Sequence, residues 1–144
     1  MNPGETKIIS SPPASILVVD DTPANLQVLT GMLKERDYKI RPVPSGKLAL
    51  QAASHDPPDL ILLDINMPDM NGYEVCEKLK ADDKLKGIPI IFISATRDEA
   101  VRARVVELGA LACLPKPFSD TALLEALRLV LPPNGKAREL SRPS

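Results

Sequence analysis

Three apolar runs set the limits on what this chain can become. Ile16 to Val19, Leu60 to Leu63 and Ile88 to Ile93 are dense in branched aliphatics and too short for helices. They also lack the polar/apolar alternation of a strand with one wet face, so they read as strands buried on both faces. Such strands belong in a parallel sheet with helices on each side. Each run ends at polar residues: Asp20-Asp21, Asp64 and Ser94-Ala95-Thr96. In open parallel sheets, ligands bind beyond the carboxyl ends of the strands. Asp64, followed by the turn-forming stretch Asn66-Met67-Pro68-Asp69-Met70-Asn71-Gly72, is therefore the first candidate for chemistry.

Between these runs the pattern alternates. Thr22-Pro23 opens a helix capped by Asp21 or Thr22, with Leu26, Leu29 and Leu33 as its apolar stripe through about Arg36. Tyr38 to Val43 is a strand whose Pro42 lacks a ladder donor, which places it at the sheet edge. Ser45-Gly46 begins a helix with Leu48, Ala49 and Ala52 inward. After Gly72 a helix runs to about Lys80 with Val75, Cys76 and Leu79 inward. A fourth helix spans about Asp98 to Leu108, and Gly109 suits a left-handed cap. Leu111 to Leu114 is the last strand and leads into Lys116-Pro117-Phe118. Ser119 caps a final helix with Leu123, Leu124, Leu127 and Leu131 inward. Five strands alternating with five helices imply right-handed crossovers and a doubly wound α/β domain. Asp20, Asp21, Asp64, Ser94 and Lys116 must then share one rim.

The 144 residues suit one domain with tails: a disordered leader over 1–14, a folded unit over 15–131 and a flexible tail or linker over 132–144. The leader has no apolar segment and no run is long enough to span a bilayer, so neither a signal peptide nor a membrane protein is expected. A formal net charge of -1 gives no pull toward nucleic acid, and Arg128, Lys136, Arg138 and Arg142 lack aromatic company. Cys76 and Cys113 have neither disulfide-framework nor zinc spacing and read as reduced thiols. His55, the single histidine, reads as a solvated surface residue. Gly46 and Gly72 form no phosphate-cradling fingerprint.

Carboxylates crowded at one rim repel. One unit-charge pair about 4 Å apart costs about 4 kcal/mol at an effective dielectric near 20. A cation is needed, and all-oxygen ligands without His or Cys favour Mg²⁺. Lys116 and Ser94 add an ammonium and a hydroxyl suited to phosphoryl oxygens. Asp64 then becomes a candidate nucleophile toward phosphorus, forming an aspartyl phosphate.

From about Ser15 to Leu131 the sequence resembles a receiver domain of a bacterial two-component response regulator. The likeness rests on Asp20-Asp21, on Asp64 with Met67-Pro68-Asp69-Met70-Asn71-Gly72 behind it, on Ser94-Ala95, and on Lys116-Pro117-Phe118. It implies the flavodoxin-like strand order 2-1-3-4-5 that the chemotaxis receiver illustrates. It further implies that Asp64 takes a phosphoryl group from a sensor histidine kinase or phosphotransfer protein. Asp20, Asp21, Asp64 and the backbone carbonyl of Asn66 would hold Mg²⁺, with Ser94 and Lys116 on the phosphoryl oxygens. A cis Lys116-Pro117 peptide is implied as well.

The same resemblance implies a cytoplasmic switch and not an enzyme beyond its own phosphoryl uptake and autodephosphorylation. Its partner would be an output domain or a weak, phosphorylation-promoted homodimer, through a mostly polar face carrying Arg97, Arg102, Arg104 and Glu107. The Asp20 to Asn25 opening looks like receivers joined to kinase or cyclic-dinucleotide enzymes. One departure stands out: receivers commonly carry an aromatic ring three residues before the lysine, where this chain has Cys113. Two rivals are an unregulated interaction module of the same fold and an aspartyl-phosphate hydrolase. The hydrolase would ordinarily carry a second acid at the position of Asn66.

Overall fold

The computed structural model describes residues 14–34, 38–95, 98–116 and 119–130. The strands are β1 Ser15–Val19, β2 Lys39–Val43, β3 Leu60–Asp64, β4 Ile90–Ser94 and β5 Ala112–Pro115. The helices are α1 Pro23–Lys34, α2 Gly46–His55, α3 Gly72–Lys80, α4 Glu99–Glu107 and α5 Asp120–Val130. All strand pairings are parallel, in the order β2-β1-β3-β4-β5. The expected leader other than Ala14, and the expected tail, lie outside the described residues. So do Arg36, Thr96, Arg97, Pro117, Phe118 and Leu131, and with them the expected cis peptide.

The apolar runs are unbroken because both faces of the sheet are covered. Leu17, Val19, Ile61, Leu63, Ile90 and Phe92 point into one core, against Ala49 and Ala53 of α2, Val75, Cys76 and Leu79 of α3, and Val105 of α4. Their neighbours Ile16, Val18, Leu60, Leu62, Ile91 and Ile93 point into the other, against Leu29 and Leu33 of α1 and Leu123, Ala126 and Leu127 of α5. Fully burying one such aliphatic is worth roughly 1.5–3 kcal/mol. The three central strands, β1, β3 and β4, are thus the most firmly anchored part of the molecule.

Two expectations about this framework change. In α2 the buried positions are Gly46, Ala49 and Ala53, while Leu48 is exposed. The cause is close packing: a Cβ on Gly46 would lie 2.6 Å from Cγ2 of Val75. That contact sets the phase of the helix: with Gly46, Ala49 and Ala53 turned inward, Leu48 faces solvent while Leu50 packs partly against the core. Pro42 does sit on an edge strand, but it removes nothing from the ladder. Lys39 N–H donates to the Ala14 carbonyl and Asp20 N–H to the Val43 carbonyl. Residues 39, 41 and 43 therefore face β1, and Pro42 turns its nitrogen to the open edge. Gly109, at φ 79°, ends α4 in the left-handed region as expected.

Candidate functional site

Strand register brings the predicted residues together. Val19 pairs with Leu63, so Asp20 and Asp64 emerge side by side from β1 and β3. Ser94 pairs with Pro115, so Lys116 leaves β5 beside the end of β4, and its N–H donates to the Ser94 carbonyl at 2.9 Å. Asp20, Asp64 and Ser94 are buried and Asp21 is half-buried. One carboxylate oxygen from each of Asp20, Asp21 and Asp64 lies within 4.8 Å of the others. Lys116 Nζ bridges this group, 3.0 Å from Asp64 Oδ1 and 3.3 Å from Asp20 Oδ2.

The electrostatics follow from that crowding. Burial pushes Asp64 up to about 6 from 3.8; the Lys116 hydrogen bond opposes the rise, and the Asp20 and Asp21 charges add to it. Burial alone would lower Lys116, but its hydrogen bond to Asp64 and the charges of Asp64 and Asp20 outweigh that, and its net direction is upward. Three carboxylates against one ammonium leave the pocket short of positive charge. A donor set of carboxylate oxygens, with no His or Cys in the cluster, can hold a hard metal ion.

The loop from β3 to α3 supports Asp64 from behind. Ile65 N–H donates to the Ile93 carbonyl at 3.1 Å, and Gly72 N–H returns to the Ile65 carbonyl at 2.8 Å. A Cβ on Gly72 would collide with the Asp64 carbonyl oxygen, so this return needs glycine. Asn71 caps α3 reciprocally with Glu74: Glu74 N–H donates to Asn71 Oδ1 and Asn71 N–H to Glu74 Oε1, each at 2.9 Å. Asp69 sits at φ 68°, a left-handed position that Asp tolerates better than most residues. Asn66 is exposed on this loop, two residues past Asp64. His55 is exposed, and Cys76 and Cys113 are free thiols, buried and half-buried respectively.

Sequence reading missed two features. Asn25 Nδ2 donates to Asp20 Oδ2 at 3.2 Å, and the signal was its place one helical turn past the acidic pair. Arg104 of α4 reaches Glu77 of α3 and its own helix's Glu107, each at 2.8 Å, and its guanidinium lies 5.5 Å from the centre of the Tyr73 ring. Tyr73 in turn meets Phe92 edge-on at 5.6 Å. Burial raises the Tyr73 phenol. The outer side of α4 is less polar than expected. Val106 and Leu111 are exposed and line, with Val101, Val105, Ala110 and Cys113, a groove of about 430 Å³.

Comparison with known proteins agrees with this geometry. A family model described as the response regulator receiver domain matches residues 16–128. The chain is 41% identical over 115 residues to the response regulator PleD of Caulobacter vibrioides, covering 80% of this chain and 25% of PleD. It thus spans about a quarter of that relative's length. The chemotaxis protein CheY4 of Vibrio cholerae superposes with a TM-score of 0.79 at 29% identity, covering 83% of this chain and 99% of that one. The receiver domain of the sensor histidine kinase PA1611 from Pseudomonas aeruginosa, solved with a magnesium ion coordinated in its active site cleft, gives a TM-score of 0.76 at 29% identity, covering 82% and 97%. With five parallel strands in the 2-1-3-4-5 order, an acidic cluster at their carboxyl ends and this match over residues 16–128, the chain belongs to the response regulator receiver domain family, whose general function is a switch thrown by phosphorylation of an aspartate.

Proposed function

We propose that Asp64 is the phosphoryl acceptor of this receiver, and that Asp20, Asp21, Asp64 and the backbone carbonyl of Asn66 hold Mg²⁺ beside it. The observation that carries this reading is the sharing of Lys116 between Asp64 and Asp20 inside a pocket of three carboxylates. One ammonium leaves two negative charges uncompensated, which is the deficit a divalent cation fills. When bound, Mg²⁺ supplies positive charge opposite the phosphoryl oxygens.

The chain's own residues account for the rest. With its proton held only up to about pH 6, Asp64 is mainly carboxylate at neutral pH. A carboxylate oxygen attacks phosphorus, an O–P bond forms while the P–N bond to a phosphohistidine breaks, and the departing imidazole nitrogen takes a proton from water. Lys116 moves its hold from Asp64 Oδ1 to a phosphoryl oxygen, and the Ser94 hydroxyl at the next strand end donates to another. Hydrolysis of the acyl phosphate resets the switch, so its chemistry is confined to its own phosphoryl group. The donor is a sensor histidine kinase or phosphotransfer protein in the cytoplasm, and the output goes to a joined domain or a weak, phosphorylation-promoted homodimer.

Incubation with acetyl phosphate followed by intact-mass measurement tests the assignment. One phosphoryl adduct is expected with Mg²⁺ present, and none with chelator or in Asp64→Asn. Undiminished labelling of Asp64→Asn would remove Asp64 from its role.

A further inference from the structure

Asp20 is fully buried, and three donors hold its carboxylate. Thr22 N–H donates to Oδ1 at 2.9 Å, while Oδ2 is shared by Asn25 Nδ2 at 3.2 Å and Lys116 Nζ at 3.3 Å. Lys116 is divided, since it also lies 3.0 Å from Asp64. Once Lys116 turns to a phosphoryl group on Asp64, Asp20 Oδ2 loses its charged donor. Asn25 is then the donor that stays on Oδ2, as the Thr22 N–H does on Oδ1.

We propose that Asn25 is a positioning residue for the transfer reaction: its carboxamide keeps Asp20 aimed at the divalent cation while Lys116 moves to the phosphoryl oxygens. The backbone suits the role. Asn25 N–H donates to the Thr22 carbonyl at 3.0 Å, which fixes the residue in the first turn of α1. Side chains on a helix lean toward its N-terminus, and that is where Asp20 sits. The chemistry suits it as well. A neutral amide donates a hydrogen bond without adding charge, so it orients Asp20 without competing with the cation as a lysine would, and without deepening the repulsion as an aspartate would. Hydrogen bonds to a metal-ligating carboxylate from the surrounding shell are the usual means of fixing its orientation.

This inference rests on the metal and phosphoryl reading above, and a double-mutant cycle separates the two. Mg²⁺ alone is titrated calorimetrically into wild type, Asn25→Leu, Lys116→Met and the double variant, with urea midpoints in chelator measured alongside. Leucine approximates the shape of asparagine without its amide, and Asn25→Ala serves in the same cycle if the leucine variant does not fold. With Lys116 still able to hold Oδ2, losing the amide should weaken Mg²⁺ binding by about 3-fold. In the Lys116→Met background, where the amide is the remaining side-chain donor, the loss should reach about 10-fold or more. Equal losses in both backgrounds would mean that Asn25 only supports α1, and no loss in either would mean that it does nothing for Asp20; each overturns the inference alone. A wild type that fails to bind Mg²⁺ at millimolar concentration would overturn the parent reading as well.

Discussion

Lys116 and Arg104 each bridge two carboxylates, one in the buried rim and the other on the surface. Lys116 lies 3.0 and 3.3 Å from Asp64 and Asp20, whose side chains are 3% and 0% exposed. Arg104 lies 2.8 Å from both Glu77 and Glu107, at 51% and 67%. The exposed contacts are the shorter pair, yet they should matter less. Two charges about 4 Å apart interact by about 1 kcal/mol in water and about 4 kcal/mol at an effective dielectric near 20. Surface pairs are further weakened by salt and by the entropy of holding long side chains still. The buried bridge also has a third acid beside it, so it is left seeking positive charge, whereas the surface bridge has two acids for one cation and solvent around it. Desolvation and an unbalanced count, more than distance, separate the buried bridge from the surface one.

The largest expected difference is kinetic. Lys116→Ala should slow phosphoryl uptake from phosphoramidate by about 100-fold or more, the usual loss on removing one donor to developing oxyanion charge. Arg104→Ala should stay within about 2-fold. Single-turnover mass measurements at saturating Mg²⁺ compare them, and equal losses would erase the distinction drawn here.

Next in size is the response to neutralising one acid in each cluster. In chelator, Asp21→Asn should raise the melting temperature because it relieves repulsion, whereas Glu77→Gln should not. Mg²⁺ at 100 times its dissociation constant should stabilise the wild type by about 2.7 kcal/mol. A lower melting temperature for metal-free Asp21→Asn would show that the rim acids are not in conflict.

A smaller effect concerns pH. A carboxyl whose folded value is raised contributes stability below its unfolded value and loses it as pH climbs toward the folded one. For Asp64 that window runs from about 4 to about 6. Between pH 5 and 7 the metal-free protein should lose about 1 kcal/mol from this group. Urea midpoints at the two pH values, in wild type and Asp64→Asn, isolate the contribution; an identical slope in the variant would assign it elsewhere.

Most of this was legible in the sequence because it depended on strand ends. An apolar run that stops at a polar residue marks where a buried strand reaches the rim, so Asp20, Asp64, Ser94 and Lys116 could be placed together from order alone. What depended on the distance between helices could not. Leu48 was assigned inward on hydrophobicity, but the close approach of Gly46 to Val75 sets the phase of α2 so that Leu48 faces solvent. Arg104 finds Glu77 across 27 positions of sequence, which no helical spacing encodes. Cys113 shows the same limit: its place before Lys116 was visible, but not the Tyr73 and Phe92 rings packed edge-on near it.

The smallest expected effect tests that last region. Arg104→Ala should shift the melting temperature by no more than about 3 °C, and less in high salt. Cys113→Tyr, which puts a second ring beside Tyr73, should enlarge the change in α4 amide exchange on beryllofluoride binding. A full-amplitude change in the wild type that the tyrosine leaves untouched would make the surface bridge and its aromatic neighbour irrelevant to switching.

Pro42 carries a consequence of another kind. A sheet with an open flank can recruit foreign backbone, strand upon strand, into aggregates. On β2 the groups turned away from β1 belong to Ile40 and Pro42, and the proline has no hydrogen to offer a newcomer. At this edge of the sheet, one route to runaway polymerisation is thus blunted by a single imino acid.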